Sequence, residues 1–241
     1  MLKPKELDIE GLKTLIITEL ASIERVGIDK LLVYLTKDTD YFTAPSSASF
    51  HYAFPGGLAA HSWNVFNLLT AKIEMFNIPV QTDSISIVAL LHDLCKVNFY
   101  EVDNDPPSDA QIKYLRDLAK REYYQIPPDH MTKGYVSSLI NFYKNGGEKP
   151  EFKTTYKFND QFPMGHGEKS VILAQNYIQL RDEEAIAIRW HMVAFDAGIH
   201  FNYPSGFPFR QAVEKYALVT LLATADMEAS NILESEREYK E

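Results

Sequence analysis

Apolar residues recur at helical spacing over most of this chain, and short alternation is confined to two places. Leu12, Leu15, Ile16, Leu20 and Ile23 predict an amphipathic helix over 9–24, and a second follows at 28–35. A polar stretch rich in Thr, Ser and Asp occupies 38–49. His51-Tyr52-Ala53-Phe54-Pro55-Gly56-Gly57 reads as a turn, with its proline and glycine pair as helix punctuation. The spacing then predicts a helix over 58–76, with Leu58, His61, Val65 and Leu68 or Leu69 on one side. Pro79 closes that segment, and Asp83 or Ser84 is placed to cap the next helix. That helix carries an apolar run from Ser84 that ends in His92-Asp93-Leu94-Cys95-Lys96.

The character changes between 97 and 160. Residues 97–102 and 153–158 alternate with aromatic or β-branched side chains, and are expected to pair as two antiparallel strands. Between them, Pro106-Pro107-Ser108-Asp109 opens a helix over 110–124, Pro127-Pro128 breaks it, and 132–143 forms another. The reading is a small helical insert, 106–148, in a larger unit made of 1–105 and 149–241. Lys113, Arg116, Lys120 and Arg121 of the insert read as a solvated helix face before they read as a nucleic-acid surface. Helices are expected again over 168–180, 182–195 and 211–234, with an aromatic loop at 201–209. No internal repeat or low-complexity tract interrupts this order.

The bulk properties narrow the function. Across 241 residues, a hydrophobic fraction of 46% is ample for a packed core. The net charge of −9 argues against wrapping nucleic acid by charge alone. It leaves room for a nucleotide or a short strand end, because bound metals reverse the local field. Cys95 is the only cysteine, so there is no intrachain disulfide and no cysteine-rich zinc site. The longest apolar stretch is too short to span a bilayer and the N-terminus lacks a signal peptide's apolar run, so the expectation is a cytoplasmic protein.

Several titratable residues fall on apolar helix faces. His61 shares a face with Leu58 and Val65, His92 follows Val88 by four, and His191 follows Ala187 by four. Asp226 continues the stripe of Val219 and Leu222. A lone histidine in such a place is more often a satisfied core residue. Three of them, with Asp93 and Asp226, exceed what a core accumulates without function. Imidazoles and carboxylates drawn from several helices are what a divalent metal in a helical core requires. Spacing alone leaves open whether one ion or two are held, and does not reach His166, which stands between Gly165 and Gly167.

These residues resemble the HD superfamily of metal-dependent phosphohydrolases: a histidine, an adjacent His-Asp pair and a distant aspartate, here His61, His92-Asp93 and Asp226. The string Leu90-Leu91-His92-Asp93-Leu94-Cys95-Lys96 is a close match, departing at Cys95, where many relatives have glycine. The likeness runs from about His51 to Ser230, excluding the insert. The segment 51–61 is similar to a loop of HD-type bacterial 3′–5′ exoribonucleases. Residues 163–170 and 188–192 are similar to HD hydrolases of Gram-positive bacteria and their phages. The resemblance implies an all-α HD-domain helical bundle, to which the alternation adds a small helical insert closed by a short β-hairpin. It also implies two divalent ions (Mn, Fe, Ni or Co). His61, His92, Asp93 and Asp226 would hold one, and Asp93, His166 and His191 the other.

The implied activity is hydrolysis of a nucleotide or nucleic-acid phosphoester by a metal-activated water. Lys96, one helical turn from His92, would stabilise charge on the phosphoryl group. His51 and Lys169 are lesser candidates for phosphate contacts, Lys169 because it lies in a first helical turn. Two other functions fit the same residues: a di-iron HD-type oxygenase, and a non-catalytic, metal-stabilised binding module whose insert recognises a partner.

Overall fold

The computed structural model describes residues 8–48, 51–193 and 206–235. Among these, ten α-helices and one two-stranded antiparallel sheet make a mostly helical fold with a small hairpin, as the periodicity predicts. No helix among the described residues is long and apolar enough to cross a membrane. The chain divides into two compact units, 1–100 with 159–241, and 101–158.

The larger unit opens with α1 (Ile9–Ala21), which is capped by the Asp8 side chain accepting from Gly11 N and buries Leu12, Ile16 and Leu20. Helix α2 (Ile28–Val33) runs on into a π turn over Tyr34–Asp38. Helix α3 (Gly57–Phe76) packs along α4 (Thr82–Leu91), with Leu58, Leu69, Ile87, Leu90 and Leu91 fully buried. Each such side chain contributes about 1.5–3 kcal/mol of burial. The cap expected from Asp83 or Ser84 is not made. Gln81 precedes the helix without a side-chain cap bond, and Asp83 and Ser84 sit in its first turn, where they pair with arginines. The helical run expected to reach Lys96 stops at Leu91, and a 3-10 turn covers Leu94–Lys96.

The smaller unit joins β1 (Tyr100–Val102) to β2 (Tyr156–Phe158). Both strands lie within the runs expected at 97–102 and 153–158. Between them, α5 (Asp109–Ala119) begins with a Ser108–Gln111 capping box and ends four residues before Tyr123 of the following 3-10 turn. Lys120 takes a positive φ of 50°, which terminates the helix short of the expected 124. Helix α6 (Lys133–Asn145) is capped by Thr132. Leu115, Ala119, Val136 and Leu139 form this unit's own core. Lys113, Arg116, Lys120 and Arg121 are exposed, as a solvated face requires.

In the larger unit the chain continues with α7 (His166–Gln175), α8 (Asp182–Trp190), α9 (Gly206–Lys215) and α10 (Ala217–Glu228), then a π turn over Ala229–Leu233. The single helix expected over 211–234 is therefore divided at Tyr216, whose extended backbone separates α9 from α10. Helix α8 stops before the expected 195, because His191 caps it and Val193 takes a φ of 34°. Most of the aromatic loop lies outside the described residues. Helix α10 packs on α3 and α8.

A buried ionic cluster ties the starts of α4 and α8 to Arg25, in the segment between α1 and α2. Glu184, fully buried, accepts from Arg25 at 2.7 and 2.9 Å, from Ser84 Oγ at 2.6 Å and from the Arg181 backbone N–H at 2.8 Å. Arg25 and Arg181 also reach Asp83. With their first turns held together, α4 and α8 arrive side by side at their C-terminal ends, where the site is built.

Candidate metal centre

His92 and His191 occupy equivalent places, each as the residue that caps its helix. Each turns its Nδ1 back to the carbonyl three residues earlier: His92 to Ala89 at 2.8 Å, and His191 to Ile188 at 2.6 Å. That contact takes the Nδ1 proton and turns Nε2 away from the helix end; burial keeps the His92 ring neutral, while Asp93 outweighs burial at His191 and raises its pKa. Two helix C-termini, each carrying partial negative charge, thus converge on one place and favour a cation there.

His61 arrives from the second turn of α3. The turn before it is tight: Gly56 has a φ of 85°, and a side chain at Gly57 would collide with the Tyr52 carbonyl. His61 Nε2 stands 3.2 Å from His92 Nε2, 3.2 Å from Asp226 Oδ1 and 3.5 Å from Asp93 Oδ2. Asp93 leaves the helix at φ −101°, ψ 21°, and its carboxylate bridges two groups. Oδ2 lies 3.5 Å from His92 Nε2 and 2.6 Å from Lys96 Nζ, while Oδ1 lies 3.5 Å from His191 Nε2. Both Asp93 Oδ1 and His191 Nε2 are buried without a hydrogen-bond partner.

Of the expected ligands, His61, His92, Asp93, His191 and Asp226 are therefore brought together. His61, His92 and Asp226 already offer atoms within 4.8 Å of one another. His166, the first residue of α7, is exposed and lies beside them, its Nδ1 3.4 Å from Cys95 Sγ. Its position follows from Gly167, where a side chain would strike the Arg189 carbonyl of α8. Lys96 points at Asp93 from the 3-10 turn rather than from a continuing helix. His51 sets its ring 5.1 Å from that of His61 at a tilt of 48°, with a buried Nε2 that has no hydrogen-bond partner. Lys169 is committed elsewhere, to Asp160 at 2.6 Å and over the Phe99 ring.

Sequence reasoning missed Glu234. It is buried, and both its oxygens lie 3.0–3.1 Å from His61 Nδ1. Asn64 Nδ2 donates to Glu234 Oε1 at 3.1 Å and to the Tyr52 hydroxyl at 3.2 Å. In the sequence Glu234 is only the end of the helix expected over 211–234, yet Asp226, Ser230 and Glu234 recur at intervals of four, and that spacing was the available signal.

The buried charges in this cluster shift one another's ionisation. Asp93, Asp226 and Glu234 converge around imidazoles, and Lys96 is the ammonium among them. Burial pushes His92 down to about 4, and His51 likewise to about 4, so both rings are neutral and able to bind metal. Burial also opposes charge on His61, but Glu234 and Asp226 outweigh it and raise its pKa to about 10. Burial alone would raise Asp93. The Lys96 ammonium reverses that and holds its carboxyl well below the usual range. The carboxylates thus demand a positive charge at His61 Nε2, which either a proton or a metal ion can supply. The nitrogen and oxygen donor set, with its partnerless buried atoms, fits a divalent ion.

Comparison of the chain with family models, with curated proteins and with solved structures found no match in any of the three.

Proposed function

We propose that this chain is a metal-dependent phosphohydrolase or phosphodiesterase acting on a nucleotide or nucleic-acid phosphoester. The observation that carries the reading is the Asp93 carboxylate. One oxygen faces His61 and His92 while the other, buried and without a hydrogen bond, faces the lone nitrogen of His191. A carboxylate so shared suits two adjacent cations. In this reading His61, His92, Asp93 and Asp226 would hold one ion, and Asp93, His166 and His191 the second; bound divalent ions would supply Lewis acidity at a phosphoryl oxygen and a lowered pKa for water.

The chain's own groups do the rest. Asp93 faces both halves of the donor set from the turn after α4. Lys96, buried and held charged by Asp93, places an ammonium beside that carboxylate to meet negative charge developing on the phosphoryl group. His51 lines the same place next to His61 and offers a polar contact. The likeness of His61, His92-Asp93 and Asp226 to the HD pattern supports the choice of phosphoester hydrolysis over other metal chemistry.

The test is hydrolysis of bis-p-nitrophenyl phosphate by metal-loaded protein, followed by a screen of nucleotides and short oligonucleotides. Asp93→Ala is expected to abolish turnover. Undiminished turnover in that variant would refute the proposal.

A further inference from the structure

Glu234 is buried against the Nδ1 side of His61, opposite the Nε2 that faces His92 and Asp226. An imidazole binds metal through one nitrogen only when the proton sits on the other, and the partner of that proton sets which way the ring presents itself. His92 and His191 solve this with carbonyls of their own helices. His61 lies inside α3, one turn from the helix start, and its Nδ1 faces Glu234 at 3.0 Å instead.

Glu234 reaches that place because the chain leaves α10 through the π turn Ala229–Leu233, with the Glu234 N–H donating to the Ala229 carbonyl at 3.0 Å. Its other neighbour is Asn64, which lies on α3 three residues after His61 and donates to Oε1. Apart from His61 itself, the carboxylate is held by Asn64.

We propose that Glu234 is a positioning residue for the metal centre: it accepts the Nδ1 proton of His61, aims Nε2 at His92 and Asp226, and raises the affinity of that donor set for a divalent cation. The inference rests on the metal reading above and adds a residue to it. The same contacts admit a rival: His51, His61 and Glu234 offer atoms within 4.8 Å of one another and could hold an ion directly. In the positioning role, Glu234 alters affinity and leaves the number of ions alone.

The experiment titrates Mn²⁺ into the metal-free full chain by calorimetry, comparing wild type with Glu234→Gln and Glu234→Ala. Melting temperature is recorded for each, and ¹⁵N-histidine spectra are recorded without metal. The glutamine keeps a neutral acceptor for Nδ1, and its melting temperature is expected to stay near that of wild type. Loss of an outer partner weakens metal binding by about 10–100-fold. That loss is expected for Glu234→Ala, with a smaller one for Glu234→Gln, at unchanged stoichiometry. A downfield, slowly exchanging Nδ1–H signal is expected in the wild type and not in Glu234→Ala. Affinities equal to wild type in both variants would overturn the inference while leaving the metal centre intact. Loss of one ion per chain would favour the direct ligand and also overturn it. A wild type that binds no Mn²⁺ would overturn both this inference and the metal reading.

Discussion

Glu184→Gln tests whether the ionic cluster at the starts of α4 and α8 holds the fold. Glu184 is fully buried and receives Arg25, Ser84 and the Arg181 N–H at 2.6–2.9 Å. Breaking a buried pair costs about 3–5 kcal/mol, because the remaining charge loses its partner in a poorly solvated place. Arg25 keeps Asp83 at 2.7 Å, so the lower end, about 3 kcal/mol, applies. In a chain of this length each kcal/mol moves Tm by about 2–4 °C, giving a fall of roughly 6–12 °C. The assay is a thermal melt followed by circular dichroism at low and high salt, with little salt dependence expected of a buried pair. Arg210→Ala serves as the control, since its partner Glu214 and it are both largely exposed; that melt is expected to stay where it was. A Glu184→Gln melt within about 2 °C of wild type would show that the cluster is solvated and refute the reasoning.

Lys96→Met is expected to keep the bound metal while lowering kcat about 10²–10³-fold, the usual cost of losing one donor to developing charge; metal analysis and hydrolysis of the same sample check both parts. Metal binding at neutral pH should release close to one proton per chain from His61, whose pKa is raised to about 10, so affinity falls as the pH is lowered. Calorimetry in buffers of differing ionisation enthalpy reads that release. In the metal-free protein, His51 and His92 have folded values near 4, below their ordinary 6.5, so the unfolded state binds more protons and stability is lost as pH falls from about 6.5 to 4. His61 acts oppositely: its contribution is present below about 6.5 and lost as pH rises through 10. Chelator-treated protein should therefore melt highest between those flanks in a pH series of melts. Leu115→Ala, at the centre of the smaller unit's core, should destabilise that unit by about 2–5 kcal/mol, read as faster hydrogen exchange in α5 and α6.

Periodicity located the helices because each buries one stripe, as Leu12, Ile16 and Leu20 do in α1. It could not find where α4 and α8 stop. Those ends are set by His92 and His191 turning onto carbonyls of their own helices, which is local chemistry that no apolar spacing encodes. The same spacing put His61 and Asp226 on inward faces, and both meet in the cluster. Glu234 escaped because it stands at the last position of the expected helix, past the stripe of Val219, Leu222 and Asp226, and a π turn rather than a continued α-helix carries the chain to it. Lys169 was read from its place at a helix start, but its ammonium is taken by Asp160, nine residues earlier and outside that helix. Helix start and substrate contact are separate properties, and only packing distinguishes them.

The central claim is that the converging imidazoles and carboxylates hold divalent metal. Elemental analysis of protein purified without chelator or affinity tag tests it most directly. The account predicts about two manganese, iron, nickel or cobalt ions per chain, lost in Asp93→Ala. Protein that carries no metal, and takes up none when Mn²⁺ is added, would contradict it.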